Sequence, residues 1–250
     1  MKAMVFAAGL GTRLRPLTND RPKALVTTGS RTLLELTLLR LRSFGVDEAI
    51  VNVHHFANRI VDYLDANRNF GMRIEISHED ELLDTGGGLK KAAWFFLEGS
   101  GQKSEAFLVH NVDVLSTIDL ARMVRFHTEH NALATLAVQR RDSSRQLIFN
   151  EAGRLCGRRA GRDAEIEWAV PARQFDPLAF SGIHVLSPRI FANMPEEGAF
   201  SIISAYLRLA AQGEDIRAFR ADDSYWRDLG RPEDLAEAER DLAAGKYNAG

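Results

Sequence analysis

Short apolar runs alternate with longer stretches in which Leu, Ile and Val recur every three to four residues through the first half of the chain. The short runs predict strands at 3–6, 48–53, 73–77, 106–109 and 132–139. The longer ones predict helices at 32–44, 57–67, 87–97 and 118–130. The first of these carries Leu at 33, 34, 36, 38, 39 and 41 and ends at Gly45, a residue suited to closing a helix. Strands alternating with helices of this length predict an α/β fold: a doubly wound, mostly parallel, Rossmann-like sheet. The pattern changes after Val138. Positions 143–172 are rich in Arg, Asp, Glu and Gly and predict a small β-rich insertion, with strands at 146–149 and 179–186. Helices return at 188–193 and 201–211, with a strand at 216–220 and a last helix at 232–244. That helix opens on Pro232, Glu233 and Asp234, residues that suit a first turn. No repeat or low-complexity linker divides the 250 residues, so one domain is expected.

Composition narrows the partners. A net charge of −2 and a pI near 6.4 argue against a nucleic-acid partner. No stretch approaches the roughly 20 apolar residues that span a bilayer, so no membrane segment is expected. Residues 1–10 faintly resemble a signal peptide, but Arg13 and Arg15 come too early, and the expected location is the cytoplasm. The single cysteine, Cys156, excludes an intrachain disulfide and reads as a small buried residue.

The most informative segment follows the first strand: Ala7 to Lys23, AAGLGTRLRPLTNDRPK. A glycine turn at a strand end lets backbone N–H groups approach an anion, and Arg13 and Lys23 supply a planar fork and a point charge for phosphate oxygens. The dinucleotide fingerprint needs a third glycine where Leu14 stands, and the triphosphate P-loop needs a Lys-Ser/Thr that is absent. A dehydrogenase is disfavoured on that ground.

The series Gly9, Gly11, Thr12, Arg13, Leu14, Pro16, Thr18, Pro22, Lys23 resembles, position by position, the signature of the sugar-1-phosphate nucleotidyltransferases. The resemblance is strongest to the short bacterial group that includes N-acetylmuramate-1-phosphate uridylyltransferases and mannose-1-phosphate guanylyltransferase-like proteins. It implies a nucleotide-binding half at about 1–140 and a sugar-phosphate half at about 141–250. It also implies Mg2+-dependent transfer of a nucleotidyl group from a nucleoside triphosphate to a sugar 1-phosphate, as a monomer or homodimer. On this resemblance Arg13 and Lys23 are catalytic, and Ala8, Gly9, Gly11, Thr12, Arg13, Gly86, Gly87 and Asn111 bind nucleotide. Asp113 and Asp228 match the family's metal aspartates, the second in an intact Trp226-Arg227-Asp228-Leu229-Gly230, and are expected on opposite walls of one cleft. The glycine that usually precedes the first aspartate is Val112 here, and a β-branched residue resists positive φ, so that turn must be built differently.

Two further segments keep alternatives open. Asp84 to Lys90, DTGGGLK, placed before a predicted helix, reads either as a loop that frames a nucleobase or as a flexible turn. Ser181 and Gly182 match the family's sugar-phosphate segment, although a β-bulge would look the same. His54, His55 and His110 are not expected to bind metal, since neighbours in a strand point to opposite faces. Two other functions stay open: a cytidylyltransferase acting on a non-sugar phosphate such as phosphocholine, and a non-catalytic sensor or subunit that binds nucleotide-sugar.

Overall fold

The structure is a computed structural model that describes residues 1–98, 105–161 and 164–247. Contacts divide the chain into two compact units that interleave in sequence. The first takes Met1–Leu82, Val109–Ile118 and the residues from Ser224 on; the second takes Leu83–Leu108 and Asp119–Asp223. A boundary near residue 140 therefore falls inside the second unit.

The first unit is a parallel βαβ assembly. Strand Lys2–Phe6 pairs in parallel with Glu48–Val53, Met4 opposite Ile50, and the latter pairs in parallel with Arg73–His78. Ala3, Met4, Val5, Ala49, Ile50 and Val51 are fully buried, the continuous apolar run expected of parallel strands covered on both faces. Helix Leu33–Ser43 starts where the Thr32 side chain accepts a hydrogen bond from the Glu35 amide at 3.1 Å. It ends as Gly45, at φ 77°, donates to Arg42 and Val46 donates to Leu41, the paired bonds of a Schellman motif. Helices Ala57–Ala66 and Pro232–Ala243 complete this unit. A short antiparallel ribbon, Val114–Ser116 with Trp226–Asp228, was not expected from the sequence.

The second unit holds a mixed sheet. Strand Phe175–Leu186 pairs antiparallel with Ala134–Gln139 and with Arg145–Asn150, and Ile216–Arg220 pairs in parallel with Ala134–Gln139. Arg145–Asn150 continues antiparallel into Leu155–Ala160 and then Glu167–Trp168, which is the expected β-rich insertion. Residues 162–163 of that insertion lie outside the described ones. The α/β fold class read from the sequence is thus the observed one. Cys156 is buried in this sheet, and burial pushes its thiol up to about 11, so it stays an inert thiol near neutral pH. Among the described residues no helix is long and apolar enough to cross a membrane.

The glycine cluster corrects one expectation. The helix expected at 87–97 instead begins at Asp84, so that Gly86 also lies inside it with Gly87 and Gly88, and it breaks at Ala92 before Ala93–Leu97. All three glycines are buried, and Gly86 and Gly87 pack against the segment around residues 198–200. The Gly86 and Gly87 amides donate to the Phe200 carbonyl at 2.8 and 3.3 Å. A Cβ at Gly86 would run into the Phe200 ring, and one at Gly87 into the Gly198 carbonyl. Close helix packing therefore accounts for the small residues. Replacing a helical glycine by alanine ordinarily stabilises by up to about 1 kcal/mol. At Gly87 the obstructing atom is backbone, so overpacking wins: Gly87→Ala is expected to destabilise by about 1–3 kcal/mol in urea unfolding.

Candidate active site

The loop after strand Lys2–Phe6 folds by short-range hydrogen bonds around Gly11. Its carbonyl accepts from the Leu14 amide at 2.9 Å and from Thr18 Oγ1 at 2.8 Å, closing the 3₁₀ turn Thr12–Leu14. Gly11 has φ 63°, and a Cβ there would lie 2.9 Å from the Thr18 methyl and 3.1 Å from Lys23 Cβ. Backbone conformation and crowding both demand glycine at this position. Gly9 is different: its φ is not in the left-handed region, and a Cβ would meet nothing within 4 Å. Nothing in the folded chain itself requires Gly9, so the open space above it is available to a ligand. Ala8 is buried, while Thr12 and Arg13 are exposed along the loop.

Pro22 is buried and leads into a second 3₁₀ turn, Lys23–Leu25, which aims Lys23 inward. Its ammonium makes an ion pair and hydrogen bond with the Asp113 carboxylate, and the two side chains are only 12% and 16% exposed. Asp113 sits in the turn between strand Phe107–Asn111 and strand Val114–Ser116. Val112 forms that turn without entering the left-handed region, its amide donating to the Phe6 carbonyl at 3.2 Å and its carbonyl accepting from Thr37 Oγ1 at 3.3 Å. A turn built without glycine thus presents Asp113 to Lys23. Asn111 ends the preceding strand half-buried.

Asp228 pairs across the ribbon with Val114, and the Leu229 amide donates to the Asp113 carbonyl at 2.7 Å. Asp228 thus ends one ribbon strand and Asp113 lies in the turn that leads into the other, a two-stranded pairing that joins segments more than a hundred residues apart. Burial raises the Asp228 pKa from its ordinary value, and the negative charge of Asp113 adds to this, against the opposing pull of Lys23 and Arg13. Arg13 also lies against Gly230, where a Cβ would come 2.6 Å from its Nη2 and 2.5 Å from Asp228 Oδ1. The glycine that closes the Trp-x-Asp-x-Gly series is what lets cation and carboxylate share this space. Arg13, Lys23, Asp113 and Asp228 therefore form one compensated charge cluster inside the first unit.

Gly86, Gly87, Ser181 and Gly182 belong to the second unit. Gly182 has φ 73° and lies where the register of Phe175–Leu186 against Ala134–Gln139 shifts between Phe180 and His184. That is a β-bulge, and it explains the glycine by itself. Ser181 is fully buried. A separate groove of about 380 Å³ in this unit, lined by Arg122, Arg125, Phe126, Glu129 and Arg220 among others, holds none of the expected residues.

Sequence reasoning missed the groups that brace the cluster. Asp241 on the last helix receives hydrogen bonds from Lys246 at 2.9 Å and Arg227 Nη2 at 2.8 Å, which hold its carboxyl down to about 2. This anchors the strand that carries Asp228. Asn52 and Glu79, 3% and 1% exposed, form a second brace beside Ala7. A polar residue within the otherwise apolar run 49–53 was the available signal.

Comparison with known proteins gives the family and the fold. The model of the Nucleotidyl transferase family matches residues 2–149. The chain is 35% identical to the N-acetylmuramate alpha-1-phosphate uridylyltransferase of Caulobacter vibrioides, over 96% of each chain. It is 30% identical to a probable mannose-1-phosphate guanylyltransferase 2 of Arabidopsis thaliana over 94% of this chain and 63% of that longer protein. Its fold matches a UDP-glucose pyrophosphorylase crystallised with UDP-glucose at a TM-score of 0.76 and 19% identity, covering 98% of each chain.

The two loop glycines separate folding from ligand contact. Gly11→Ala forces a left-handed alanine against Thr18 and is expected to cost about 1–3 kcal/mol. Gly9→Ala is expected to leave the unfolding midpoint within about 0.5 kcal/mol of the parent while impairing nucleotide binding. Thermal unfolding and nucleotide titration of both variants check this.

Proposed function

We propose that this chain, which belongs to the nucleotidyl transferase family, transfers a nucleotidyl group from a nucleoside triphosphate to a sugar 1-phosphate and releases pyrophosphate. The observation that carries the reading is the cluster of two cations and two carboxylates beside an open glycine loop, Arg13, Lys23, Asp113 and Asp228. Small-molecule substrates of this class are cytoplasmic metabolites, so the reading takes the enzyme to act in the cytoplasm, as a monomer or homodimer.

In this reaction an anionic oxygen of the sugar phosphate attacks the α-phosphorus, a P–O bond forms to it, and the bond to pyrophosphate breaks with its electron pair leaving on pyrophosphate. The attacking oxygen is already anionic near neutral pH, so no protein nucleophile or strong general base is needed. The protein's task is alignment and charge neutralisation. The loop from Ala8 to Arg13 holds the triphosphate, with the Gly9 backbone open to it. Arg13 and Lys23 offset the charge that develops on the phosphates, Lys23 exchanging its contact with Asp113 for phosphate oxygen. Asn111 lies at the strand end beside the loop, and Gly86 and Gly87 are assigned to the base, Ser181 and Gly182 to the sugar phosphate.

Asp113 and Asp228 fit a magnesium ion: hard oxygen donors, few in number, whose mutual repulsion and burial a cation relieves. Among the described residues no three His, Cys, Asp or Glu side chains cluster as a metal cage, so phosphate oxygens and water complete the expected shell. When bound, the ion supplies charge neutralisation and orientation of the phosphates.

The near full-length match to the Caulobacter enzyme makes UTP with N-acetylmuramate α-1-phosphate the first pair to assay. Four nucleoside triphosphates against a panel of sugar 1-phosphates, read by pyrophosphate release, test the function. Lys23→Ala and Arg13→Ala are each expected to lower kcat/KM by about two to three decades, the loss typical of one transition-state charge contact. Rates equal to the parent in both folded variants, or no release from any pair, would overturn the assignment.

A further inference from the structure

Asn52 is hard to explain by stability. It lies near the end of the apolar strand Glu48–Val53, whose neighbours Ala49, Ile50, Val51 and Val53 are fully buried, and it is itself only 3% exposed. A leucine of similar size would fill this place without polar atoms to satisfy. The amide is instead engaged at both ends. Its Oδ1 accepts from the Ala7 backbone at 2.7 Å, and its Nδ2 donates to Glu79 Oε1 at 2.7 Å. Glu79 is 1% exposed and is held by its own backbone, its amide donating to the Val53 carbonyl at 2.8 Å and its carbonyl meeting His54 Nδ1 at 2.8 Å. A carboxylate can only accept, so it fixes which end of the Asn52 amide faces it. The oxygen is thereby turned toward Ala7, the residue at which strand Lys2–Phe6 gives way to the glycine loop.

We propose that Asn52 is a positioning residue for the phosphate loop: oriented by Glu79, its side-chain oxygen pins the Ala7 amide and so sets the path of Ala8 and Gly9. This rests on the nucleotidyl-transfer reading for its catalytic consequence and on geometry alone for its structural one. Buried and paired at both ends, the relay is stiff; leaving either partner unsatisfied is costly, which keeps the loop in one register.

Exchanging the two side-chain chemistries tests the idea. Asn52→Asp replaces the Nδ2 donor by a second carboxyl, so that Ala7 and Glu79 no longer face complementary ends of one side chain. Glu79→Gln keeps an acceptor for Asn52 and serves as the reference. In the double variant the carboxylate introduced at position 52 again accepts from Ala7, and it also accepts from the side-chain amide introduced at position 79. Asn52→Asp is expected to lower kcat/KM for the nucleoside triphosphate at least about tenfold, with KM for the sugar phosphate changed less than about twofold. Hydrogen exchange at the Ala7 amide should accelerate. The double variant is expected to return to within about threefold of Glu79→Gln in both readouts.

A folded Asn52→Asp protein matching the parent in both readouts would overturn the proposal. So would a double variant no better than Asn52→Asp. Should Asn52→Asp fail to fold, the double variant against Glu79→Gln decides alone, and its failure to restore Ala7 protection counts against the proposal. If the parent turns over no substrate pair, the nucleotidyl-transfer reading fails, and Ala7 exchange across the same variants still decides whether Asn52 sets the loop.

Discussion

Two carboxylates brought side by side in a partly buried place repel, and the first unit is organised around compensating that repulsion. The ribbon Val114–Ser116 with Trp226–Asp228 sets Asp228 opposite Val114, next to Asp113. The cost is visible in the raised Asp228 pKa, for which burial and the Asp113 charge are responsible. Lys23 answers it through its ion pair to Asp113, and Arg13 through its approach over Gly230. Remove the cations and the carboxylates become a buried like-charge pair; remove the carboxylates and Lys23 loses its partner in a half-dry site. A protein selected for stability alone has no need of such a cluster. One that binds a polyphosphate with a divalent cation does, because the same charges serve the ligand when it arrives.

The supports of the cluster are of two kinds. Backbone supports set positions: Gly11 in the left-handed region closes the loop, and the Leu229 amide on the Asp113 carbonyl locks the ribbon. Side-chain supports set orientation: Asp241 gathers Arg227, Tyr225 and Lys246, while Asn52 ties Ala7 to Glu79. Both use groups far apart in sequence, so the site exists only once the parallel strands and the ribbon have formed.

Much of this was legible in the chain. Strand 48–53 was read at its observed limits because its apolar run is short and sharply bounded, and strand 216–220 was read at its limits too. Helix Leu33–Ser43 was legible from its leucine face and from Gly45. The residues Arg13, Lys23, Asp113 and Asp228 were legible because their motifs are local. What was not legible depends on pairing at a distance. The ribbon strands are three residues each, too short to show a period. The helix start was read at 87 and not at Asp84 because helix propensity disfavours glycine; tertiary packing against Phe200 overrode it. Asn52 and Glu79 carry no motif, only polarity at buried positions. Val112 raised a question about its turn that only the backbone answered.

The claim at the centre is that Asp113 and Asp228 together receive a divalent cation with nucleotide, in a space that Lys23 and Arg13 keep electrically balanced. Electron paramagnetic resonance of manganese(II) with a non-hydrolysable nucleoside triphosphate addresses it directly. The account predicts that the parent protein immobilises manganese in the presence of the nucleotide, and that Asp113→Asn and Asp228→Asn each weaken this by at least about tenfold. Undiminished manganese binding in both folded variants would contradict it.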